Sequence, residues 1–213
     1  MQTLIRWKKP DVHTSKREEK TPLFYFFVDF FYPFRYTEEK DRRNGSMDTL
    51  KWIDETTAQL PEGAFLMVKG NPMTIGWGQF GILWRTLCAT VYVRHSRYTH
   101  ELLEDCDTFT ISVPDPGAMK QELAFCGTKS GRDFDKCKEI NRSLVPAVYG
   151  AQDGLEGCRY QIECKILHRS ELDISLLEDP AIIDRHYRSG DTHTMYIGQV
   201  LGVTEFSSCK KSH

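Results

Sequence analysis

The sequence lacks the marks of several common protein classes. Its 213 residues carry a formal net charge of -2, and no apolar run is long enough to span a membrane. The balanced charge gives no reason to expect a nucleic-acid or anionic-membrane partner. The seven cysteines include no CxxC pair and no zinc-type spacing, which is typical of free thiols in a reducing compartment. We therefore expect a cytoplasmic protein without disulfides.

Several catalytic signatures are also missing. There is no G-x-S-x-G elbow and no Rossmann fingerprint. The glycines and lysine of CGTKSGRDFDK, residues 126–136, are in the wrong order for a Walker loop. We interpret that segment as a turn joining two helices, with Ser130 as a cap and with Lys129 and Arg132 exposed to an anion. No three histidines have metal-ligand spacing, so no metal site is expected.

Residues 1–46 are poor in glycine and cysteine but contain 10 of the 25 aromatic residues. Their run LFYFFVDFFYPF is interrupted by Asp29 and Pro33, and no small-residue cleavage site follows it. We predict that the domain comprises residues 47–213. Residues 1–46 are then a non-native, upstream-translated or weakly ordered extension. The alternative is an aromatic segment that docks on a partner.

After Met47 the patterns predict a mainly β protein with a few short helices. Short β-branched or aromatic runs predict strands at 64–69, 73–78, 87–93, 108–113, 158–166 and 193–203. Capping signals predict one helix that starts from Ser96 or Thr99, and others at 116–125, 133–140 and 180–185. Alternation in CRYQIECKI predicts a half-buried strand. So many antiparallel strands in one domain favour a small barrel.

The segment NPMTIGWGQ places polar residues and glycines where a β core is expected. Alternation along a strand puts Met73 and Trp77 on one side, with Thr74 and Gly76 on the other. Backbone amides beside the glycines can approach a planar heterocycle, and Asn71 and Thr74 can bond its polar edge. Trp77 then packs near the ring or fills the core. A structural strand with a glycine bulge is the alternative.

The segment VRHSRYT combines charge with hydroxyls just before a helix. Arg94 and Arg97 supply the charge, Ser96 and Thr99 the hydroxyls, and the helix its free N–H groups, which together favour a phosphate. The alternative is a capped helix with solvated arginines. Later, SGDTHTMYIGQV places His193 at the start of a strand, where it either donates a hydrogen bond or proton or has a structural role.

In this order, NPMTIGWG, YVRHSRYT, SGRDFDK and SGDTHTMYIGQV resemble the flavin reductase-like family of FMN-binding split barrels, over about residues 60–203. The resemblance implies a split β-barrel and a homodimer. It also implies that FMN, or FAD in some members, is bound near the subunit interface, with NADH or NADPH as the hydride donor.

The resemblance further implies roles for individual residues. The flavin ring would contact Met73, Thr74, Gly76 and Trp77, with Asn71 nearby. The phosphate would be bound by Ser96, Arg97 and Thr99, with Arg94 as a further candidate. Ser130, Gly131 and Arg132 would lie near the flavin or the nicotinamide. His193 matches the histidine of a GDH-type motif, although Thr192 is inserted between Asp191 and His193.

The expected activity is NAD(P)H-dependent flavin reduction by hydride transfer to N5, with His193 positioning the donor and no side-chain nucleophile. One alternative is a flavin-binding electron carrier or module without reductase turnover. Another is a barrel of the pyridoxamine phosphate oxidase type.

Overall fold

The computed structural model describes residues 51–206. Its helices are α1 (Lys51–Gln59), α2 (Tyr98–Glu104), α3 (Lys120–Thr128), α4 (Lys136–Glu139) and α5 (Pro180–His186), with a 3₁₀ turn at Ile174–Leu176. Its strands are β1 (Ala64–Val68), β2 (Asn71–Ile75), β3 (Gly78–Leu83), β4 (Thr86–Arg94), β5 (Thr108–Pro114), β6 (Leu144–Val145), β7 (Gly154–Leu155), β8 (Cys158–Glu171) and β9 (His193–Glu205).

Seven strands form one antiparallel sheet in the order β2-β1-β5-β8-β9-β4-β3, and β6 pairs with β7 separately. The sheet curls, so that Ile75 of β2 and Val91 of β4 belong to the same hydrophobic core. Within residues 51–206 the end strands β2 and β3 are not hydrogen-bonded to each other. This geometry confirms the expected mainly β, split-barrel fold.

Helix α1 covers the core and was not predicted. Trp52, Thr56 and Gln59 recur at helical spacing and are buried, and the indole of Trp52 packs edge-on against Phe80 at 5.4 Å between ring centroids. Strand β3 was also missed. The predicted strand 73–78 ends at Ile75, and a new strand begins at Gly78.

Three predicted helix boundaries are wrong. The predicted helix 116–125 begins only at Lys120, after Met119 in the left-handed region, and it continues through Gly127. The predicted helix 133–140 is a single turn capped by Asp135 rather than Ser130. Helix α2 follows Arg97 and has no side-chain cap, because other groups hold the hydroxyls of Ser96 and Thr99.

The prediction that residues 158–166 form a half-buried strand is wrong for two of the four polar residues on its outer side. Gln161 and Glu163 are almost fully buried, because residues 146–155 cover that face of β8. The carboxylate of Glu163 accepts backbone N–H bonds from Val148 at 2.7 Å, Tyr149 at 2.8 Å and Ala151 at 3.1 Å. The alternation of polar and apolar residues along a strand does not reveal that a polar residue is buried and hydrogen-bonded to a loop.

Within residues 51–206, no helix has the length and apolar character needed to cross a bilayer. The predicted extension at residues 1–46, with the start of the domain near Met47, lies outside the described residues and stays a prediction.

Candidate flavin site

Two regions of the surface contain most of the predicted site residues. The first, here called the basic cavity, has a volume of about 100 Å³. It is lined by Met73, Ser96, Arg97, Tyr98, Thr99, Thr128, Lys129, Ser130, Gly131, Arg132 and Lys136. Seven of these are predicted ligands, drawn from β2, from the start of α2 and from the loop after α3.

The second region, here called the aromatic cleft, has a volume of about 440 Å³. It is lined by Thr57, Leu60, Pro61, Gly76, Trp77, Gly78, Gln79, Tyr92, Leu172, Leu177, Ile182 and Tyr187. Of the predicted ring contacts only Gly76 and Trp77 line it. Asn71, Thr74, Arg94 and His193 line neither region.

Positive charge dominates the basic cavity. The guanidinium of Arg97 donates to the carbonyl of Gly127 at 2.7 Å, while Lys129 is exposed. Arg132 donates to the carbonyl of Ser96 at 3.3 Å and forms an ion pair with Glu101. The cationic side chains that line the cavity thus outnumber this one carboxylate. The hydrogen bond from Arg132 lowers the pKa of Glu101.

Lys136 is the residue that sequence reasoning missed. Its side chain is nearly buried, and Nζ donates to the carbonyls of Pro72 at 3.0 Å and Cys126 at 3.1 Å. An ammonium has three N–H donors, so these carbonyls leave one for the cavity. Burial lowers the pKa of Lys136, and the nearby charge of Arg97 acts in the same direction. The signal was available, because Lys136 ends the SGRDFDK segment.

Asn71 contacts two residues that line the basic cavity. Its Nδ2 donates to the buried Thr99 hydroxyl at 2.9 Å. The same side chain lies so close to the loop that a Cβ added at Gly131 would be 2.1 Å from its Oδ1. Thr74 donates to the carbonyl of Leu123 at 2.6 Å and so joins β2 to α3. Asn71 and Thr74 thus act on the protein itself in this structure.

Arg94 and Ser96 hold the loop that precedes β9. Arg94 donates to the carbonyls of Asp191 and of His186, the latter at 2.9 Å, and its guanidinium lies over the ring of Tyr187. Ser96 donates to the Asp191 carboxylate at 2.7 Å. Burial opposes ionisation of Asp191, but hydrogen bonds from the hydroxyl and backbone N–H of Ser96, together with the charge of Arg94, outweigh it and lower its pKa.

His193 lies beneath the aromatic cleft. Its ring is 4.9 Å from that of Trp77, and Nδ1 is 3.2 Å from the Tyr187 hydroxyl. Burial, assisted by the charge of Arg94, lowers the pKa of His193 from 6.5 to about 4. The imidazole is therefore neutral near pH 7. Trp77 is 39% exposed and packs on His193 and His186, so the alternative in which it fills the core is wrong.

The chain matches the flavin reductase like domain over residues 56–212. An uncharacterized protein of Archaeoglobus fulgidus is 27% identical over 154 residues, which are 70% of this chain and 76% of that protein. The match to the domain spans all four motifs that suggested the resemblance.

Solved structures share the fold. Flavoredoxin of Desulfovibrio vulgaris (Miyazaki F) is 20% identical with a TM-score of 0.54, and the likeness covers 69% of this chain and 70% of that one. An FMN-binding protein from Thermus thermophilus is 22% identical with a TM-score of 0.51, covering 67% and 70%. The NADH:FAD oxidoreductase SgcE6 of Streptomyces globisporus C-1027 is 18% identical with a TM-score of 0.52, covering 68% and 75%. The motifs, the split barrel and the domain match together establish that the chain belongs to the flavin reductase-like domain family.

Proposed function

We propose that the protein binds FMN and catalyses its reduction by NADH or NADPH. The observation that carries this proposal is the basic cavity, where Arg97, Arg132 and Lys136 converge beside the hydroxyl of Ser130. A donor set of this kind fits a phosphate. The names of two structural neighbours, an FMN-binding protein and an NADH:FAD oxidoreductase, support the choice of ligand. FAD remains the second candidate flavin.

The sizes of the two regions fit the two ends of FMN. A cavity of about 100 Å³ suits a phosphate, whereas the aromatic cleft of about 440 Å³, between Gly76, Trp77 and Tyr187, suits a tricyclic ring. We propose that Arg97, Lys136 and Arg132 bind the phosphate and that the backbone near Gly76 approaches the ring. Met73, Thr99 and Gly131 complete the lining of the basic cavity.

A bound flavin would supply the hydride-accepting group, while the protein supplies orientation and electrostatics. Neutral His193 stays buried, so its part is to hold Trp77 and Tyr187 at the cleft rather than to donate a proton near pH 7. Arg94 and Asn71 position the loops around the site. Thr74 holds α3 against β2.

The test begins with FMN and riboflavin titrations of the full chain. Arg97→Ala should weaken FMN binding about 10- to 100-fold, because it removes charge-assisted bonds to the phosphate. Riboflavin, which has no phosphate, should bind both proteins alike. Arg185→Ala, on the exposed face of α5, is the matched control. Unchanged FMN affinity in Arg97→Ala would refute the phosphate assignment.

Turnover is tested by NADH and NADPH oxidation in the presence of FMN. Oxidation of either nucleotide supports the reductase. A protein that binds FMN but oxidises neither nucleotide would instead be an electron carrier, a reading that the likeness to flavoredoxin favours. Oxidation of pyridoxamine phosphate would instead indicate a barrel of the pyridoxamine phosphate oxidase type.

We also propose a homodimer. The β3–β4 hairpin carries large apolar side chains in solvent: Ile82 is 72% exposed and Trp84 is 59% exposed. A second copy of the chain is the partner that such a patch would suit. The molar mass in solution tests this, and a monomer at all protein concentrations would contradict it.

A further inference from the structure

Two histidines and a glutamate meet at a point outside both the basic cavity and the aromatic cleft. His95 lies between β4 and α2, His100 lies within α2, and Glu171 ends β8. One ligand atom from each of the three lies within 4.8 Å of the other two. The Nε2 atom of His95 is 2.6 Å from the Glu171 carboxylate.

Both imidazoles direct the same nitrogen toward this point. Nε2 of His95 is 3.2 Å from the hydroxyl of Thr194, and Nε2 of His100 is 2.8 Å from it. That hydroxyl also donates to Glu171 at 2.8 Å. The buried Thr194 therefore marks the centre of the cluster.

The opposite nitrogen of each ring has its own polar neighbour. Nδ1 of His95 is 3.3 Å from the Thr192 hydroxyl, and Nδ1 of His100 is 3.6 Å from the Glu104 carboxylate. Because the Thr194 hydroxyl gives its one proton to Glu171, Nε2 of His100 donates to that hydroxyl in this structure. A metal at this point would take the place of the proton on Nε2, and the polar neighbour of Nδ1 would then orient the ring. This is the support that metal-binding histidines usually have.

The charge at the cluster is suited to a cation. Within residues 51–206, Glu104 and Glu171 form ion pairs only with His100 and His95, and neither is paired with a lysine or an arginine. Two carboxylates therefore face the two imidazoles at this point.

We propose that His95, His100 and Glu171 bind a divalent transition metal, with zinc as the best-fitting ion. Imidazole and carboxylate together suit zinc, whereas magnesium and calcium prefer oxygen ligands alone. Zinc bonds of about 2.0–2.2 Å place neighbouring ligand atoms about 3.4 Å apart, so Nε2 of His95 and the Glu171 carboxylate, which are 2.6 Å apart in this structure, would separate slightly. The Glu171 side chain is 62% exposed and is free to make that adjustment.

The site would join three parts of the chain that flank the proposed phosphate loop. His95 immediately precedes Ser96 and Arg97, while Glu171 and Thr194 belong to the paired strands β8 and β9. A bound ion would therefore fix the start of the phosphate loop to the sheet. The inference rests on the cluster alone and stands whether or not the protein binds FMN.

The experiment titrates Zn²⁺ calorimetrically into the metal-stripped full chain. We expect one ion per chain, with affinity at least about tenfold lower in Glu171→Gln and in His95→Gln. Glu178→Gln and His168→Gln are controls, since both side chains are exposed and outside the cluster. Equal zinc affinity in wild type and Glu171→Gln would overturn the proposal, and so would equal losses in the controls.

Two further measurements test whether the variants lose zinc binding rather than stability, and whether the metal is bound by cysteine. Zn²⁺ should raise the melting temperature of wild type more than that of Glu171→Gln, when each protein is compared with its own metal-free melting temperature. Co²⁺ bound in place of zinc should show only the weak visible bands of nitrogen and oxygen ligands. A strong thiolate band would place the metal on cysteine and overturn the assignment.

Discussion

Gly131 lies where the loop after α3 presses against β2 and α2. A Cβ at this position would be 2.1 Å from Oδ1 of Asn71 and 2.8 Å from Cδ1 of Tyr98. Asn71 cannot turn away freely, because its Nδ2 is bonded to the Thr99 hydroxyl. Gly131→Ala must therefore either move the loop or break that hydrogen bond.

The cost can be worked from these contacts. Overpacking by one methyl group costs about 1–3 kcal/mol, and loss of the Asn71–Thr99 bond costs about 1 kcal/mol. Replacing glycine stabilises the protein by about 0.4–1 kcal/mol through the unfolded chain, which offsets part of the loss. We expect the free energy of unfolding to fall by about 2 kcal/mol, and the melting temperature by about 4–8 °C. FMN affinity should also fall, because the loop carries Ser130 and Arg132.

Urea and thermal unfolding measure the loss of stability in Gly131→Ala, and FMN titration measures the loss of affinity. Gly81→Ala in β3 is the control, because a Cβ there meets no atom within 4 Å. Adding Asn71→Ala to Gly131→Ala should restore part of the stability, since the two side chains then no longer collide. If Gly131→Ala is as stable as Gly81→Ala and binds FMN equally well, the inference that this loop is too closely packed for a Cβ at Gly131 is wrong.

Two further predictions concern buried polar groups. Glu163→Gln should lower the free energy of unfolding by about 2–4 kcal/mol in urea, because an amide NH₂ replaces one oxygen facing three backbone N–H donors; a loss equal to that of the exposed Glu178→Gln would contradict this. His193 has its pKa lowered from 6.5 to about 4, so the folded state takes up its proton less readily than the unfolded state. Wild type should therefore lose up to about 3 kcal/mol more than His193→Gln between pH 7 and pH 4. Parallel pH–stability curves would refute that assignment.

Local patterns were sufficient for most of the sheet. Short runs rich in β-branched or aromatic residues located β1, β4, β5 and β9, because such side chains favour the extended backbone. The order of four short motifs was enough to suggest the family. Helix starts were less reliable: α3 begins where Met119 adopts a left-handed backbone, which no capping rule anticipates.

The candidate site was predicted in composition but not in arrangement. Ser96 and Arg97, the predicted phosphate ligands, line one cavity together with Ser130, which the motifs placed only near the flavin or the nicotinamide. Arg94 resembled a phosphate ligand because it is a cation beside hydroxyls, yet its guanidinium donates to the carbonyl of His186 at the end of α5 and to that of Asp191 in the following loop, both remote in sequence. Sequence proximity cannot show which partner a long side chain reaches.

By itself, the sequence determined the class of fold, the family and the stretches that surround a phosphate-sized cavity, since each depends on residues close together in the chain. Only the tertiary structure decided which polar groups are buried and which meet. Lys136 is enclosed by the carbonyls of Pro72 and Cys126, and Glu171 is brought to His95 by the pairing of β8 with β9 and of β9 with β4. The burial of a side chain and the partners it contacts depend on the segments that pack against it, and those segments are distant in sequence.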